Sequence, residues 1–116
     1  MVKDLAFVAY SVRDVPRAIA FYRDVIGLTP GQAFSDKWAE FDVGAATFGV
    51  GNGESIGIAP GSQCSAAFEV DDLEPMRERL VQAGVPVSDI AEGPACRTAF
   101  VTDPEGNRFA LHQRKQ

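Results

Sequence analysis

The feature that most constrains the fold of this chain is an internal duplication. The segments that begin at Phe7 and at Ser65 share one pattern, and they lie 58 residues apart. Each begins with an apolar, strand-like run and continues with an aspartate, Asp14 or Asp72, that can cap a helix. Each then places a proline in the first helical turn, where it is tolerated. An offset of half the chain predicts two copies of one structural unit.

Each copy predicts the same order of elements. An apolar strand at 5–12 precedes an amphipathic helix whose stripe runs from Val15 to Ile26, and Phe21 lies off this stripe, which suggests an aromatic surface for a partner. The second copy has a strand at 65–70 and a helix that starts after Asp72. The later strand-like segments are 29–34, 37–43 and 46–50 in the first copy, and 85–90, 97–102 and 108–113 in the second.

These patterns predict an α+β fold built from two β-α-β-β-β modules. We expect one domain over 1–116, with a first module at 1–50 and a second at 64–116. The stretch 51–63 is rich in glycine and also contains proline, so it is predicted to be the linker between modules.

Composition excludes several classes of partner. The formal net charge is −5, whereas nucleic acids and anionic membranes require a basic surface. We therefore expect neither partner, and no apolar run approaches the length of a membrane span. The first four residues carry no signal-peptide pattern. The two cysteines form no CxxC pair, which favours free thiols and a cytoplasmic protein.

Two motifs resemble those of a known family. FVAYSVRD at 7–14 with AFYRDVIGL at 20–28, and DPEGN at 103–107, resemble the opening and closing motifs of the vicinal-oxygen-chelate superfamily, which includes glyoxalases, bleomycin-resistance proteins and extradiol dioxygenases. The resemblance implies curled mixed sheets that form a cup, with the helices on the outer face. It also implies a homodimer, because relatives of this length commonly complete each cup with modules from two chains.

The resemblance also implies four positions for metal ligands. By motif these are Phe7, Gly49 (or Phe48 if the register slips), Ser65 and Ala110. Phenylalanine, glycine and alanine side chains carry no ligand atom, and serine is a poor ligand. The chain has one histidine, whereas a two-His-one-carboxylate iron site needs two. We therefore expect no metal and no cofactor.

Strand alternation and turn geometry predict which residues face the cup. A two-residue turn at 44–45 pairs Glu40 with Gly49. If Thr102 pairs with Asn107 around the second turn, then Arg97 pairs with His112, both point into the cup, and Phe100 joins the core. The predicted ligand-binding residues are Phe7, Trp38, Glu40, Gly49, Ser65, Glu69, Arg97, Ala110 and His112.

Three functions are consistent with such a cup. The first is a metal-independent binder of a small molecule, planar or cationic, similar to the proteins that sequester bleomycin and other antibiotics. Trp38 and Phe7 would provide aromatic surfaces, and Glu40 and Glu69 an acidic wall. The second is a glyoxalase-like lyase or isomerase that uses Glu40 or His112 as an acid or base. The third is an accessory domain with a vestigial cup.

Overall fold

The computed structural model describes residues 1–115. These residues form two compact units, one spanning Met1–Gly61 and one beginning at Ser62. The first unit contains strands β1 (Val8–Ser11), β2 (Thr29–Phe34), β3 (Trp38–Val43) and β4 (Ala46–Gly51), with helix α1 (Val15–Ala20). The second contains β5 (Ala67–Glu69), β6 (Ala91–Glu92), β7 (Cys96–Thr102) and β8 (Arg108–Arg114), with helix α2 (Leu73–Gln82). The α+β class and the β-α-β-β-β modules predicted from sequence are confirmed.

The first unit is a four-stranded mixed sheet in the order β1-β4-β3-β2. Strand β1 runs parallel to β4, and the other neighbours are antiparallel. Helix α1 begins at the predicted cap, where Asp14 Oδ1 accepts a 3.0 Å hydrogen bond from the backbone N–H of Arg17. The helix continues as a π-helical segment, Phe21–Ile26, and ends at Gly27. The φ of Gly27 is 90°, in the left-handed region that glycine adopts without strain.

The core of the first unit lies between this helix and one face of the sheet. The ring of Tyr22 is fully buried, with its centroid 5.0 Å from that of Phe48 and 6.3 Å from that of Phe41. The prediction that Phe21 forms an exposed partner surface was wrong, because only 6% of this residue is exposed. The helix continues from Phe21 in the wider π-helical form, which the 3.6-residue stripe does not describe, and the Phe21 ring packs against that of Tyr22 with centroids 5.0 Å apart.

The second unit repeats this arrangement with the strand order β5-β8-β7-β6. Its core contains Leu73 and Leu80 from α2, which pack with Val101, Phe109 and Leu111 of the sheet; all five are fully buried.

The strand predicted at 85–90 is not present as a continuous strand. The structure has an isolated bridge between Val87 and Val101 and a two-residue strand, β6. Pro86 has no N–H to donate, and the hydroxyl of Ser88 accepts the 2.8 Å hydrogen bond from the backbone N–H of Phe100. A side chain therefore replaces one of the backbone partners that a regular ladder would use.

The turn between β7 and β8 also differs from its prediction. The backbone N–H of Asp103 donates to the carbonyl of Asn107 at 2.8 Å, which closes a loop of three residues that ends at Gly106 with φ 83°. Thr102 therefore pairs with Arg108, and Phe100 pairs with Ala110. The predicted pairing required an even number of residues in this loop, whereas the observed number is odd. The register is therefore shifted by one residue, and each β7 side chain lies on the opposite face from the one predicted.

Each sheet has one face toward its helix and one face turned away, which we call the open face. The open face of the first sheet carries Ala9, Ser11, Trp38, Glu40 and Gly49, beside Phe7. The open face of the second sheet carries Ala67, Glu69, Thr98, Phe100, Ala110 and His112. Within residues 1–115, no helix has the length and apolar character needed to cross a membrane.

Candidate functional site

The indole of Trp38 lies flat on a floor made by two glycines of the adjacent strand. Trp38 pairs with Gly51, and Glu40 pairs with Gly49, as the alternation predicts. A Cβ atom added at Gly49 would lie 2.6 Å from Trp38 Cη2, and one added at Gly51 would lie 2.6 Å from Trp38 Cε3. Any larger residue at either position would displace the ring, so the glycines are needed for its close approach to the sheet.

Two neighbours hold the Trp38 ring in place. Its Nε1 donates a 2.9 Å hydrogen bond to Oε2 of Glu40, two residues along the same strand. The ring of Phe7 meets it edge to face, with centroids 5.2 Å apart and planes inclined by 66°. Phe7 is 47% exposed. The indole is therefore oriented before any ligand arrives, and an exposed aromatic ring stands beside it.

A cavity of about 350 Å³ opens next to these two rings. The volume lies within the range of small-molecule sites. Among the described residues that line it, Lys37 is the charged one, and most of the remainder are apolar or glycine. The lining comprises Phe7, Ala9, Tyr10, Ser11, Lys37, Trp38, Gly51, Asn52, Gly53, Ile56 and Ile58.

One wall of the cavity comes from a segment that the sequence assigned to the linker. A 3-10 turn, Glu54–Ile56, follows β4 and presents Ile56 and Ile58. The hydroxyl of Ser11 donates to the carbonyl of Ile58 at 2.8 Å and accepts from the backbone N–H of Gly53 at 3.1 Å. Sequence reasoning missed these residues. The available signal was the pair of isoleucines inside the glycine-rich stretch, because large apolar side chains are not expected in a linker that is fully exposed to solvent.

The open face of the second unit carries a histidine–carboxylate pair. Glu69 on β5 lies directly beside His112 on β8, and Oε1 of Glu69 is 2.6 Å from Nδ1 of His112. The other oxygen, Oε2, accepts a 2.7 Å hydrogen bond from the backbone N–H of Arg114. The hydrogen bond from His112, and after it that from Arg114, holds the pKa of Glu69 below its ordinary value.

The predicted pairing of Arg97 with His112 was wrong. Arg97 pairs with Gln113, whose side chain accepts a hydrogen bond from the first residue of α2, so both lie on the helix side of the sheet. The guanidinium of Arg97 donates to Glu74 at 2.6 Å and to Glu92 at 2.7 Å. These two carboxylates raise the pKa of Arg97 further, and the side chain ties α2 to β6. The one-residue register shift in β7 accounts for the error.

The other two candidates of the second unit have mainly structural surroundings. Ala110 is 5% exposed and lies between Ala67 and Phe100 on neighbouring strands. Ser65 precedes β5 and is exposed, with its hydroxyl 3.0 Å from that of Ser62. The candidates thus fall into a group in the first unit (Phe7, Trp38, Glu40 and Gly49) and a group in the second (Ser65, Glu69, Ala110 and His112), with Arg97 on the other face.

The donor atoms present do not fit a metal site of the kind that the motifs imply. At the four expected positions, a phenyl ring, a glycine, a serine hydroxyl and a methyl group stand where imidazole or carboxylate would be needed. Across residues 1–115, no three histidine, cysteine, aspartate or glutamate side chains come close enough to hold an ion. Both cysteines are free thiols.

Comparison with known proteins agrees with this architecture. TnmS3, an antibiotic binding protein from Streptomyces sp. CB03234, is 23% identical with a TM-score of 0.81, and the match covers 98% of each chain. The fosfomycin resistance protein FosX from Listeria monocytogenes is 18% identical with a TM-score of 0.75, covering 99% of this chain and 96% of its own.

A member of the Glyoxalase/bleomycin resistance protein/dioxygenase superfamily from Sphaerobacter thermophilus DSM 20745 is 19% identical with a TM-score of 0.81, and the match covers 97% of this chain and 98% of its own. At sequence identities of 18% to 23%, these comparisons show a shared fold alone. No curated protein matches the chain. The family model, in contrast, matches residues 4–111. The chain belongs to the Glyoxalase/Bleomycin resistance protein/Dioxygenase superfamily.

Proposed function

We propose that this chain is a metal-independent binding protein that takes a planar aromatic ligand in the cavity beside Trp38. The observation that carries the proposal is the arrangement of Trp38, whose ring is seated on Gly49 and Gly51 and tethered to Glu40. A ring that is already oriented loses little conformational freedom when a ligand stacks on it, so more of the contact energy remains as affinity. The antibiotic binding and fosfomycin resistance proteins among its structural neighbours support a small-molecule ligand.

The charges around the cavity favour a neutral or anionic ligand over a cationic one. Lys37 is the charged residue among the described lining residues, whereas Glu40 does not line the cavity and accepts the indole N–H of Trp38. Asp42 is exposed at the end of β3, and Glu69 belongs to the second unit. The acidic wall that would attract a cation is therefore not part of the cavity lining, and a carboxylate near Lys37 would gain a modest charge–charge attraction.

The side chains at the four expected positions support metal independence. No ligand set of imidazoles and carboxylates can be assembled from Phe7, Gly49, Ser65 and Ala110. Elemental analysis of purified, untagged protein by mass spectrometry tests this part of the proposal. Zinc, nickel, manganese or iron near one equivalent after dialysis would contradict it.

Titration of tryptophan fluorescence tests the ligand proposal directly, because Trp38 is the only tryptophan. We expect 2-naphthoate to change its emission at micromolar concentrations, and the cation N-methylquinolinium of similar size to bind more weakly. Ile56→Ser should weaken binding of the naphthoate, because it removes an apolar wall. Val81→Ser on α2 of the second unit, where the side chain is also exposed (46%), is the control and should leave binding unchanged.

Turnover measurements and the fluorescence titration together separate the two other functions. An acid–base role for Glu40 gains no support from its geometry, because Oε2 already accepts from Trp38. If an enzyme used Glu40 in this way, Glu40→Gln would abolish turnover of a bound substrate. An accessory domain with a vestigial cup predicts no response of Trp38 across a broad panel of planar compounds, including bleomycin. That result would remove the support for binding.

Our proposal includes a homodimer. Apolar side chains near the chain start and beside the cavity are exposed, namely Met1, Val2, Leu5, Ile56 and Ile58. Their exposure costs free energy that burial in an interface would recover. Light scattering is expected to give twice the chain mass, and Leu5→Ser should shift the equilibrium toward the monomer. A monomer mass for the unaltered protein at high concentration would contradict this part.

A further inference from the structure

The chain contains two asparagines, and their surroundings differ. Asn107 is 1% exposed, its side-chain oxygen accepts a 2.8 Å hydrogen bond from the backbone N–H of Ser62, and its Nδ2 donates to Asp103 at 3.1 Å. Asn52 is exposed directly after β4, and the next residue is Gly53. An asparagine followed by glycine is prone to lose its side-chain amide, because no Cβ on the second residue obstructs the approach of the backbone nitrogen.

The Asn52–Gly53 pair can close a five-membered imide ring. The Gly53 nitrogen loses its proton to water and bonds to Cγ of Asn52, the bond from Cγ to Nδ2 breaks, and ammonia leaves with a proton returned by solvent. Water then opens this succinimide at either carbonyl, which yields aspartate or isoaspartate. One contact promotes the attack: the backbone N–H of Glu54 donates a 3.0 Å hydrogen bond to Oδ1 of Asn52, the atom on which negative charge develops.

Ser11 opposes the same reaction. Its hydroxyl donates to the carbonyl of Ile58 at 2.8 Å, and its oxygen accepts the backbone N–H of Gly53 at 3.1 Å. The second of these hydrogen bonds must break before the Gly53 nitrogen can lose its proton and turn toward Asn52. A Cβ atom added at Gly53 would lie 3.0 Å from Cβ of Ile58 and 3.2 Å from Oγ of Ser11. The glycine is therefore closely packed, and its peptide group has little room to rotate.

We propose that Asn52 is a site of spontaneous deamidation, and that Ser11 limits the rate while the segment after β4 is in place. Asn52 lines the cavity beside Trp38 together with Lys37, and its backbone N–H donates to the Lys37 carbonyl at 3.3 Å. A new carboxylate at this position counteracts the attraction of Lys37 for an anionic ligand. This effect on binding rests on the function proposed above, whereas the modification itself does not.

Peptide mapping of the full chain by mass spectrometry, after ageing at mildly alkaline pH, tests the modification. Aspartate and isoaspartate should accumulate at Asn52 and not at Asn107, and faster when the chain is unfolded in guanidinium chloride. Ser11→Ala should raise the rate in the folded protein about tenfold, the value of one hydrogen bond, whereas Ser11→Thr keeps a hydroxyl and should not. Equal rates in the folded and unfolded chain, or an unchanged rate in Ser11→Ala with its fold intact by circular dichroism, would overturn the proposal.

Asn52→Asp introduces the same charge at once and measures its effect on the cavity. The affinity for 2-naphthoate should fall about fivefold, as expected for one charge–charge contact in water, and the affinity for uncharged 2-naphthol should fall less. Gln32→Glu adds the same charge at an exposed position that does not line the cavity, and it is the control. Unchanged affinity for 2-naphthoate in Asn52→Asp would overturn the effect on binding. If the unaltered protein does not bind 2-naphthoate, the proposed function fails, and peptide mapping still decides whether Asn52 is modified.

Discussion

Trp38 and Gly49 lie on neighbouring strands with no room between them for a side chain. A Cβ at Gly49 would lie 2.6 Å from Trp38 Cη2, well inside van der Waals contact. The indole therefore occupies the space that another residue's side chain would fill. This packing explains why glycine occurs in the middle of β4, where its conformational freedom would otherwise weaken a strand.

Gly49→Ala is expected to displace the indole. The added methyl group should cost about 1–3 kcal/mol of unfolding free energy, as overpacking does in well-packed sites, and it should weaken naphthoate binding. Denaturant unfolding measures the first effect. In a Trp38→Ala background the same substitution should cost much less, since the clash is gone. Equal losses of unfolding free energy in both backgrounds would show that Gly49 is not required for the position of the Trp38 ring.

Glu40 should act through hydrogen bonding and not through its charge. Glu40→Gln keeps an oxygen that can accept from the indole N–H, so its ligand affinity should stay near that of the unaltered protein. Glu40→Leu removes the acceptor, and it should lower the unfolding free energy by about 1–2 kcal/mol and shift the indole N–H resonance. Equal losses in both variants would instead assign the role to the negative charge.

Asp103 is expected to be the most sensitive position of the closing turn. It is 5% exposed, and Oδ1 accepts the backbone N–H groups of Glu105 at 2.8 Å and Asn107 at 2.9 Å. Asp103→Ala would leave these donors without their partner and should cost about 2–3 kcal/mol in denaturant unfolding. Asp71→Ala, at an exposed position, is the control and should cost little. A similar small effect in both variants would contradict the structural role of the motif.

The Glu69 contacts should stabilise the fold in a pH-dependent way. Because the folded pKa of Glu69 is lowered, its contribution is present above the ordinary carboxyl value of about 4.3 and is lost as pH falls through the folded pKa. The difference in Tm between the unaltered protein and Glu69→Gln should thus be largest near neutral pH. This difference in Tm should become smaller toward about pH 3, where carboxyl groups become protonated. A difference that stays constant over this range would contradict the assignment.

Arg97 should affect stability and leave ligand binding in the cavity beside Trp38 unchanged. Its guanidinium contacts Glu74 and Glu92 on the helix side of the sheet. Arg97→Met removes these ion pairs while preserving most of the apolar stem, so Tm should fall modestly and more at low salt than at high salt. Affinity for 2-naphthoate should not change. A loss of that affinity with the fold intact would show that Arg97 acts at the ligand site.

The sequence alone determined the two modules, the helix that starts after Asp14, and the face of the first sheet that carries Trp38. These features depend on local periodicity and on a two-residue turn, where Val43 pairs with Ala46. The predicted pairing of Glu40 with Gly49 is confirmed, and Gly49 lies on the face that carries Trp38. Local periodicity and turn geometry predict the strand register correctly where the turn length is unambiguous.

The tertiary structure decided what local patterns could not. The hydrogen bond from the Asp103 N–H to the Asn107 carbonyl sets a register in which Thr102 pairs with Arg108 and not with Asn107, and this register moved Arg97 to the other face. The Ser11 hydroxyl brings the segment around Ile58 onto the first sheet, and Glu69 meets His112 across 43 residues of chain. Such contacts join residues distant in sequence, so their partners depend on how the strands align in space and not on any window of the chain.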